Sequence, residues 1–288
     1  MSNVEQIRIR ATAPQRLAGG LANAAAFVSK DMRIAVSYKM QFMFQFSQVF
    51  FSVAIIYFIG KMLGGANSSP LLREYGSDYF SFALVGLAVT SYLKAGLITI
   101  TNDMRQIMNQ GTLEAMCAAP VGYNWLLLYA SLWPFVFETI RVISYFIIGM
   151  IIFGFRLPAA NWAGALLTLA LTIPIFLMLG IISCSILVLV KRGDPINWIF
   201  SSASSLLAGT MFPIAVLPGW LRVIALCLPL THSLEAMRKC LLMGASAREV
   251  HVNLLALLLF TAALLPLTLL VNHACMTRAK KRGAFSTH

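Results

Sequence analysis

Six long apolar runs constrain this chain more than any other feature. They cover residues 40–59, 79–100, 125–153, 162–190, 196–216 and 253–272, and a helix that crosses a bilayer needs roughly 20 mostly apolar residues. Charged residues make up only 11% of the chain, whereas soluble proteins carry about 25%. The alternation typical of membrane β-strands is absent from the sequence. The sequence therefore predicts an all-α membrane protein with six transmembrane helices in residues 40–272.

The distribution of basic residues predicts the orientation. If both termini lie on one side, that side holds 13 of the 22 Lys and Arg residues, the other side holds seven, and Lys94 and Arg141 fall within spans. Basic residues are enriched in cytoplasmic loops. We therefore expect both termini in the cytoplasm, with residues 1–39 forming the N-terminal segment and residues 273–288 a basic tail.

The stretch from residue 17 to 40 is expected to form an amphipathic helix at the cytoplasmic membrane surface. Leu21, Ala25, Val28 and Met32 recur at helical spacing, while Lys30 falls elsewhere on the wheel. An ordinary polar lead-in to the first span is the alternative. No apolar core of a cleavable signal peptide precedes Lys30.

Residues 217–251 are too polar and too rich in proline to span a bilayer, yet too apolar for a soluble loop. Pro218, Gly219 and Pro229 divide the segment into two short helical pieces. Such pieces can enter a membrane where protein shields their broken backbone. We predict a re-entrant helical hairpin on the outer side. A pair of surface helices is the alternative.

A polar loop follows the second span on the cytoplasmic side. In residues 111–120, glycine allows a sharp entry, threonine can cap a short helix and proline stops it. Two apolar side chains at helical spacing and one carboxylate would form a contact surface. These residues are Gly111, Thr112, Leu113, Glu114, Met116 and Pro120. A docking element is favoured over a simple connector because the polar stretch from Thr101 is longer than usual connections.

Three patches resemble the ABC-2 type permease family, the membrane subunits of a class of ATP-driven exporters. They are Gly-Thr-Leu-Glu at residues 111–114 with Ala-Pro at 119–120, the segment 209–221, and Pro-Leu-Thr-His at 229–232 followed by Glu-Ala-Met-Arg at 235–238. Their order and positions are those of the family over nearly the whole chain. Within the family, the sequence looks closest to the drug- and lipooligosaccharide-export branch.

The resemblance implies a function and a set of partners. Residues 111–120 would be the coupling helix that docks into an ABC ATPase subunit, with two ATPase copies and a second copy of this permease in the complex. The chain contains no Gly-x-x-x-x-Gly-Lys-[Ser/Thr] phosphate loop, so ATP and Mg²⁺ are expected in the partner. The resemblance also implies a prokaryotic inner membrane and export of an amphipathic, lipid-linked or drug-like substrate.

Charged residues inside the predicted spans are candidates for function. Lys94 lies about two turns from the inner end of the second span, where its amine can reach the interface. Glu138 and Arg141 lie three apart in the middle of the third span, on one helix face. Intramembrane charges are costly and are usually paired or functional. The pair serves either as a structural ion pair or as part of a substrate or gating path.

The outer hairpin supplies a second candidate site in Pro229, His232, Glu235 and Arg238. His232 and Glu235 would act as an outer gate, or would simply cap a short helix. An integral-membrane transferase with this pair as its acid and base is one alternative function. A transporter driven by an ion gradient through Glu138 is another, although no inverted repeat is evident in the sequence.

Other function classes find no support in the sequence. The net charge of +12 is spread over termini and loops, with no soluble basic domain for nucleic acid. The histidines and cysteines show no metal-ligand or disulfide spacing, and no nucleophile motif occurs. We therefore expect no catalytic residues, no metal and no cofactor bound by this chain, and a lipid bilayer as its surroundings.

Overall fold

A computed structural model describes residues 13–37, 39–63, 72, 75, 78–111, 123–157, 160–190 and 195–281. Within these ranges, all regular structure is helical, which confirms the predicted class. The first half contains α1 (Ala13–Ser37), α2 (Lys39–Met62), α3 (Tyr79–Lys94), a π-helical segment (Ala95–Thr99) and α4 (Ile100–Asn109). The second half contains α5 (Tyr123–Ala130), α6 (Leu132–Phe153), α7 (Trp162–Val190), α8 (Pro195–Leu207), a 3₁₀ turn (Ile214–Val216), α9 (Gly219–Leu226), α10 (Pro229–Leu242) and α11 (His251–Lys281).

Five helical stretches in the described part of the chain are long and apolar enough to cross a membrane. They are Met43–Met62, Tyr79–Asn109, Leu127–Phe153, Trp162–Val190 and His251–Arg278. Each corresponds to one of the spans predicted from sequence. The second of them is longer than expected, because the helix continues through the π-helical segment into α4.

The fifth predicted span differs from the expectation of one continuous helix over residues 196–216. Helix α8 has 13 residues, which is about 20 Å at 1.5 Å per residue and shorter than a hydrocarbon core of about 30 Å. Gly209 then takes a φ of 77°, a left-handed conformation that ends the helix. The count of six spans therefore stays a prediction.

Helix α3 is the centre of the bundle. Its residues from Phe80 to Leu93 are all buried except Leu87, whereas only 28% of the most apolar part of α2 and 11% of that of α11 are buried. Its side chains meet α2, α6 and α10, and Tyr92 donates a hydrogen bond to Thr139 Oγ1 of α6 (3.0 Å). The outer helices expose wide apolar faces, as lipid-facing surfaces do.

Close backbone contact joins the π-helical segment to α7. A Cβ built on Gly96 would lie 2.4 Å from the carbonyl oxygen of Phe176, and one on Gly180 would lie 2.3 Å from the carbonyl oxygen of Gly96. Helices in a bilayer gain little from hydrophobic burial, so small residues that let backbones touch supply much of their packing energy. These two glycines set the distance between the elements.

The π-helical segment also makes a polar contact with α8. The carbonyl oxygen of Leu97 accepts hydrogen bonds from Thr101 Oγ1 (2.6 Å) and from Asn197 Nδ2 (3.2 Å), and Asn197 Nδ2 also lies 3.1 Å from Thr101 Oγ1. Ser183 of α7 donates to Asn197 Oδ1. A widened helical turn exposes carbonyls to such side chains, so Asn197 ties α8 to both α4 and α7.

The N-terminal helix begins close to where the sequence predicts it. Helix α1 packs against α5, with the rings of Phe27 and Tyr129 5.9 Å apart. Met32 is exposed, as expected of an apolar side chain on a membrane surface. The position of α1 at the membrane surface stays a prediction.

The glycine contact predicts a steric effect of one methyl group. Gly180→Ala should lower the free energy of unfolding by about 1–3 kcal/mol, since the added Cβ forces two backbones apart. Thermal unfolding of the purified chain in detergent measures the change. Gly219→Ala is the control, because nothing lies within 4 Å of its added Cβ. Equal melting temperatures for both variants would contradict the proposed close contact.

Candidate functional site

The predicted coupling segment begins where α4 ends. The amide of Gly111 donates to the carbonyl oxygen of Met108 (3.1 Å), and its φ of 68° turns the chain out of the helix. This agrees with the sharp entry expected at this glycine. Thr112, Leu113, Glu114, Met116 and Pro120 lie outside the described residues.

The structure joins the two charges of the third span. Arg141 Nη1 donates to Glu138 Oε2 at 3.2 Å, and the guanidinium also lies over the Phe137 ring at 5.7 Å. Glu138 is buried, while 26% of the Arg141 side chain is exposed. Glu138 Oε1 is buried without a hydrogen-bond partner among the described residues.

Two groups of α3 complete the surroundings of this pair. Ser91 and Lys94 are both close enough to affect the electrostatics of Glu138. Lys94 is exposed, as expected for an amine that extends towards the interface. Two cations therefore face one carboxylate, and the cluster has a net positive charge.

In the outer hairpin, Arg238 of α10 is 3% exposed and donates hydrogen bonds to three backbone carbonyl oxygens. It donates from Nε to the carbonyl oxygen of Phe82 (3.2 Å), from Nη1 to that of Gly209 (3.0 Å) and from Nη2 to that of Thr210 (2.7 Å). Its guanidinium also stacks on the Phe82 ring at 3.5 Å. Burial lowers the pKa of Arg238 to about 9, so the group remains a cation at neutral pH.

Thr210 extends this contact into the core. Its hydroxyl lies 2.9 Å from that of Thr90 of α3 and 3.3 Å from that of Ser205 of α8. Gly86 permits the approach, since a Cβ there would lie 2.2 Å from the carbonyl oxygen of Thr210. We call Gly86, Thr90, Gly209, Thr210 and Arg238 the arginine joint. It connects α3, the end of α8 and α10.

The other hairpin candidates have local roles in the structure. Pro229 is the first residue of α10, where the ring fits a helix start. His232 Nε2 lies 2.9 Å from the carbonyl oxygen of Leu226, and Nδ1 lies 3.1 Å from Asn253 Oδ1. Glu235 accepts a hydrogen bond from Lys239 (2.7 Å).

These contacts bear on the gate and cap interpretations. A carbonyl can only accept, so His232 Nε2–H donates to the last residue of α9 and caps that helix. Both ring nitrogens have partners, and Glu235 is paired with Lys239. The geometry favours a structural cap over an acid–base pair.

The sequence alone does not reveal that Arg238 joins the hairpin to α3 and to the end of α8. It places Arg238 with the outer gate residues, and it predicts Gly209 and Thr210 inside a continuous fifth span. The available signal is the pair Gly209-Thr210 directly after a serine-rich stretch, together with an arginine in the hairpin. Nothing in a single sequence pairs positions that lie 28 residues apart.

Comparison with known families settles the broader identity. The family model for the ABC-2 type transporter matches residues 27–242, three quarters of the chain. The chain belongs to the ABC-2 type transporter family. The matched region covers α2 to α10, including the arginine joint. A search of curated proteins finds no match.

Membership supports a membrane role for the chain. The family's membrane domain is the permease component of an ABC transporter, which works with an ATPase partner. Together with the five long apolar helices, this describes a multi-pass membrane protein involved in transport.

The arginine joint predicts that Arg238→Gln is strongly destabilising. The shorter amide leaves two buried loop carbonyls without donors, at a cost of about 2–4 kcal/mol. Thermal unfolding in detergent is the measurement. Arg222→Gln, on the exposed face of α9, should leave the melting temperature unchanged. A stable Arg238→Gln variant would show that the joint does not hold the hairpin.

Proposed function

We propose that this chain is the permease half of an ATP-driven exporter and moves an amphipathic, lipid-linked or drug-like substrate out across the membrane. The family match over residues 27–242 carries this proposal. The partners are two ABC ATPase subunits, which bind ATP and Mg²⁺, and a second copy of this chain. The complex lies in a prokaryotic inner membrane with both termini in the cytoplasm.

A continuous helical path supports the coupling role of residues 111–120. The path runs from Tyr79 through the π-helical segment to Asn109 and ends at Gly111, where the predicted coupling helix begins. Along this path, Gly96 contacts α7 and the Leu97 carbonyl contacts Asn197 of α8. Motion of the coupling segment would therefore reach α7 and α8 directly.

The arginine joint extends the path to the outer hairpin. Phe82 and Gly86 lie in the first half of α3, at the end opposite to Gly111, and both meet the joint. A shift of α3 would thus move α10 and the end of α8 with it. We propose that ATP-driven movement of the ATPases reaches the outer side of the membrane by this route.

The packing of α10 on α7 supports a re-entrant hairpin. Asn161, at the start of α7, donates to the carbonyl oxygen of Cys240 (2.9 Å), whereas Thr172, three turns further along, meets Ser233 (2.9 Å). Helix α10 therefore runs antiparallel to α7. If α7 starts at the outer surface, the turn at residues 227–228 is the deep end of the hairpin.

Neither alternative function has an observation in its favour. A transferase would need His232 free for proton transfer, but both its ring nitrogens have partners. A transporter driven by an ion gradient would need Glu138 to bind the coupling ion from solvent and release it again. Glu138 is buried and paired with Arg141.

Docking of the coupling segment is tested by co-expressing this chain with a candidate ABC ATPase subunit. The double variant Leu113→Asp with Glu114→Arg should abolish co-purification of the ATPase, or lower its activity in the complex at least roughly tenfold, because it removes the apolar contact and inverts a charge. ATP hydrolysis and the stoichiometry of the purified complex are measured.

Glu249→Arg is the control for that experiment, because it makes the same charge change as Glu114→Arg at another position. Glu249 is exposed in the turn before α11, on the proposed outer side, so this variant should behave as wild type. Docking at residues 111–120 would be contradicted if the double variant kept the ATPase and its activity. It would also be contradicted if the double variant and Glu249→Arg lost them equally.

Orientation is tested by cysteine labelling in a background without native cysteines. Ala247→Cys, in the exposed turn before α11, should react with a membrane-impermeant maleimide in intact cells. Ser286→Cys, in the basic tail, should react only after the membrane is opened. The reverse pattern would overturn the proposed topology.

A further inference from the structure

Arg238 and Arg141 differ in how many of their N–H donors have an acceptor. Arg238 donates to three carbonyl oxygens and is almost fully buried. Arg141 donates one hydrogen bond, to Glu138 Oε2, and has one aromatic contact. A guanidinium has five N–H donors. Arg141 thus keeps most of its donors without an acceptor among the described residues, at a depth where water is scarce.

The ion pair does not use the geometry that would satisfy Arg141. Arginine and carboxylate groups often pair through two parallel hydrogen bonds. Here Glu138 offers only Oε2, while Oε1 is buried and has no partner in the described part of the chain. One edge of the guanidinium therefore remains available to a second oxyanion.

The charge balance favours an anion at this place. Arg141 and Lys94 both act on Glu138, so the cluster carries one positive charge in excess. Uncompensated charge in the middle of a bilayer costs about 3 kcal/mol or more. A ligand with an anionic group would remove this cost.

The shape of the surroundings indicates how such a ligand arrives. Arg141 lines a small, partly open notch of about 10 Å³ between α2 and α6, together with Gln45, Phe46, Val49, Phe137 and Ile140. This space holds about one water-sized group, so the notch admits a single oxygen of a headgroup while the rest of the ligand stays in the bilayer. Its walls are mostly apolar and belong to membrane-spanning helices, which suits a ligand that comes from the bilayer.

We propose that Arg141, with Lys94 supplying additional positive field, binds the carboxylate or phosphate group of an anionic amphipath that enters between α2 and α6. This names a substrate class for the exporter and rests on the proposed function for its role in transport. The binding site itself is independent of the ATPase. Glu138 positions Arg141 and limits the affinity, since its charge opposes that of the ligand.

Binding of phosphatidic acid to the purified full-length chain tests the site. Native mass spectrometry gives the fraction of chain that carries one lipid, and diacylglycerol with the same acyl chains is the uncharged probe. We expect binding of phosphatidic acid but not of diacylglycerol. Arg141→Gln should weaken binding roughly tenfold, the usual effect of losing a hydrogen bond to a charged group.

Two further variants separate a binding role from a structural one. Glu138→Gln raises the net charge of the cluster and should tighten binding, whereas a purely structural ion pair predicts no gain. The double variant Glu138→Gln with Arg141→Gln leaves no buried charge unpaired, so it should fold as wild type and still bind more weakly than wild type. Thermal unfolding reports folding, and Arg222→Gln is the control for general loss of positive charge.

The same experiment contains the results that would overturn the proposal. Equal binding of phosphatidic acid by wild type and by the double variant would place the lipid elsewhere, for example on the basic tail. Weaker binding by Glu138→Gln would assign the pair a structural role. Binding of inorganic phosphate alone, dependent on Arg141, would make the ligand a free anion and not an amphipath. Because no ATPase is present, these outcomes are separate from the docking test.

Discussion

The Arg238 guanidinium is the interaction on which the outer half of this molecule depends. It satisfies two carbonyl oxygens at a place where the chain leaves α8, and it stacks on a ring of the most buried helix. Backbone groups without partners are costly in a bilayer, so a broken helix is tolerated only where protein supplies the missing bonds. Arg238 supplies them. It thereby permits a 13-residue α8 and the helix pair that follows it.

This joint also explains why α3 is central. One end of the α3–α4 path meets Arg238, its middle contacts α7 and α8 through Gly96 and Leu97, and its other end leads to Gly111. Small residues and single polar contacts fix the distances between these elements. A helix held in this way can pass a displacement from one side of the membrane to the other, as a permease driven by a separate ATPase requires.

The sequence was sufficient for the parts that depend on composition and periodicity. Apolar runs of about 20 residues predict spanning helices, and five of the six positions hold such helices. Gly111 was expected at a sharp turn, and its positive φ agrees with that expectation. What could not be predicted rests on contacts distant in sequence. The carbonyl oxygen of Gly209 accepts a hydrogen bond from Arg238, and that of Leu97 in the π-helical segment accepts one from Asn197. Glu138 and Arg141 were found by their rarity in a span, but their incomplete hydrogen bonding required coordinates.

The most direct test of the path from coupling segment to hairpin is a distance measurement between spin labels at Asn109→Cys and Ala247→Cys within one chain. The chain is assembled with its ATPase, diluted with unlabelled copies, and measured without nucleotide and with ATP bound. The account predicts one narrow distance in both states, and a broader distribution on ATP binding when Arg238→Gln is added. A clear shift of the distance on ATP binding in the otherwise native chain would contradict it, because the two ends would then move independently.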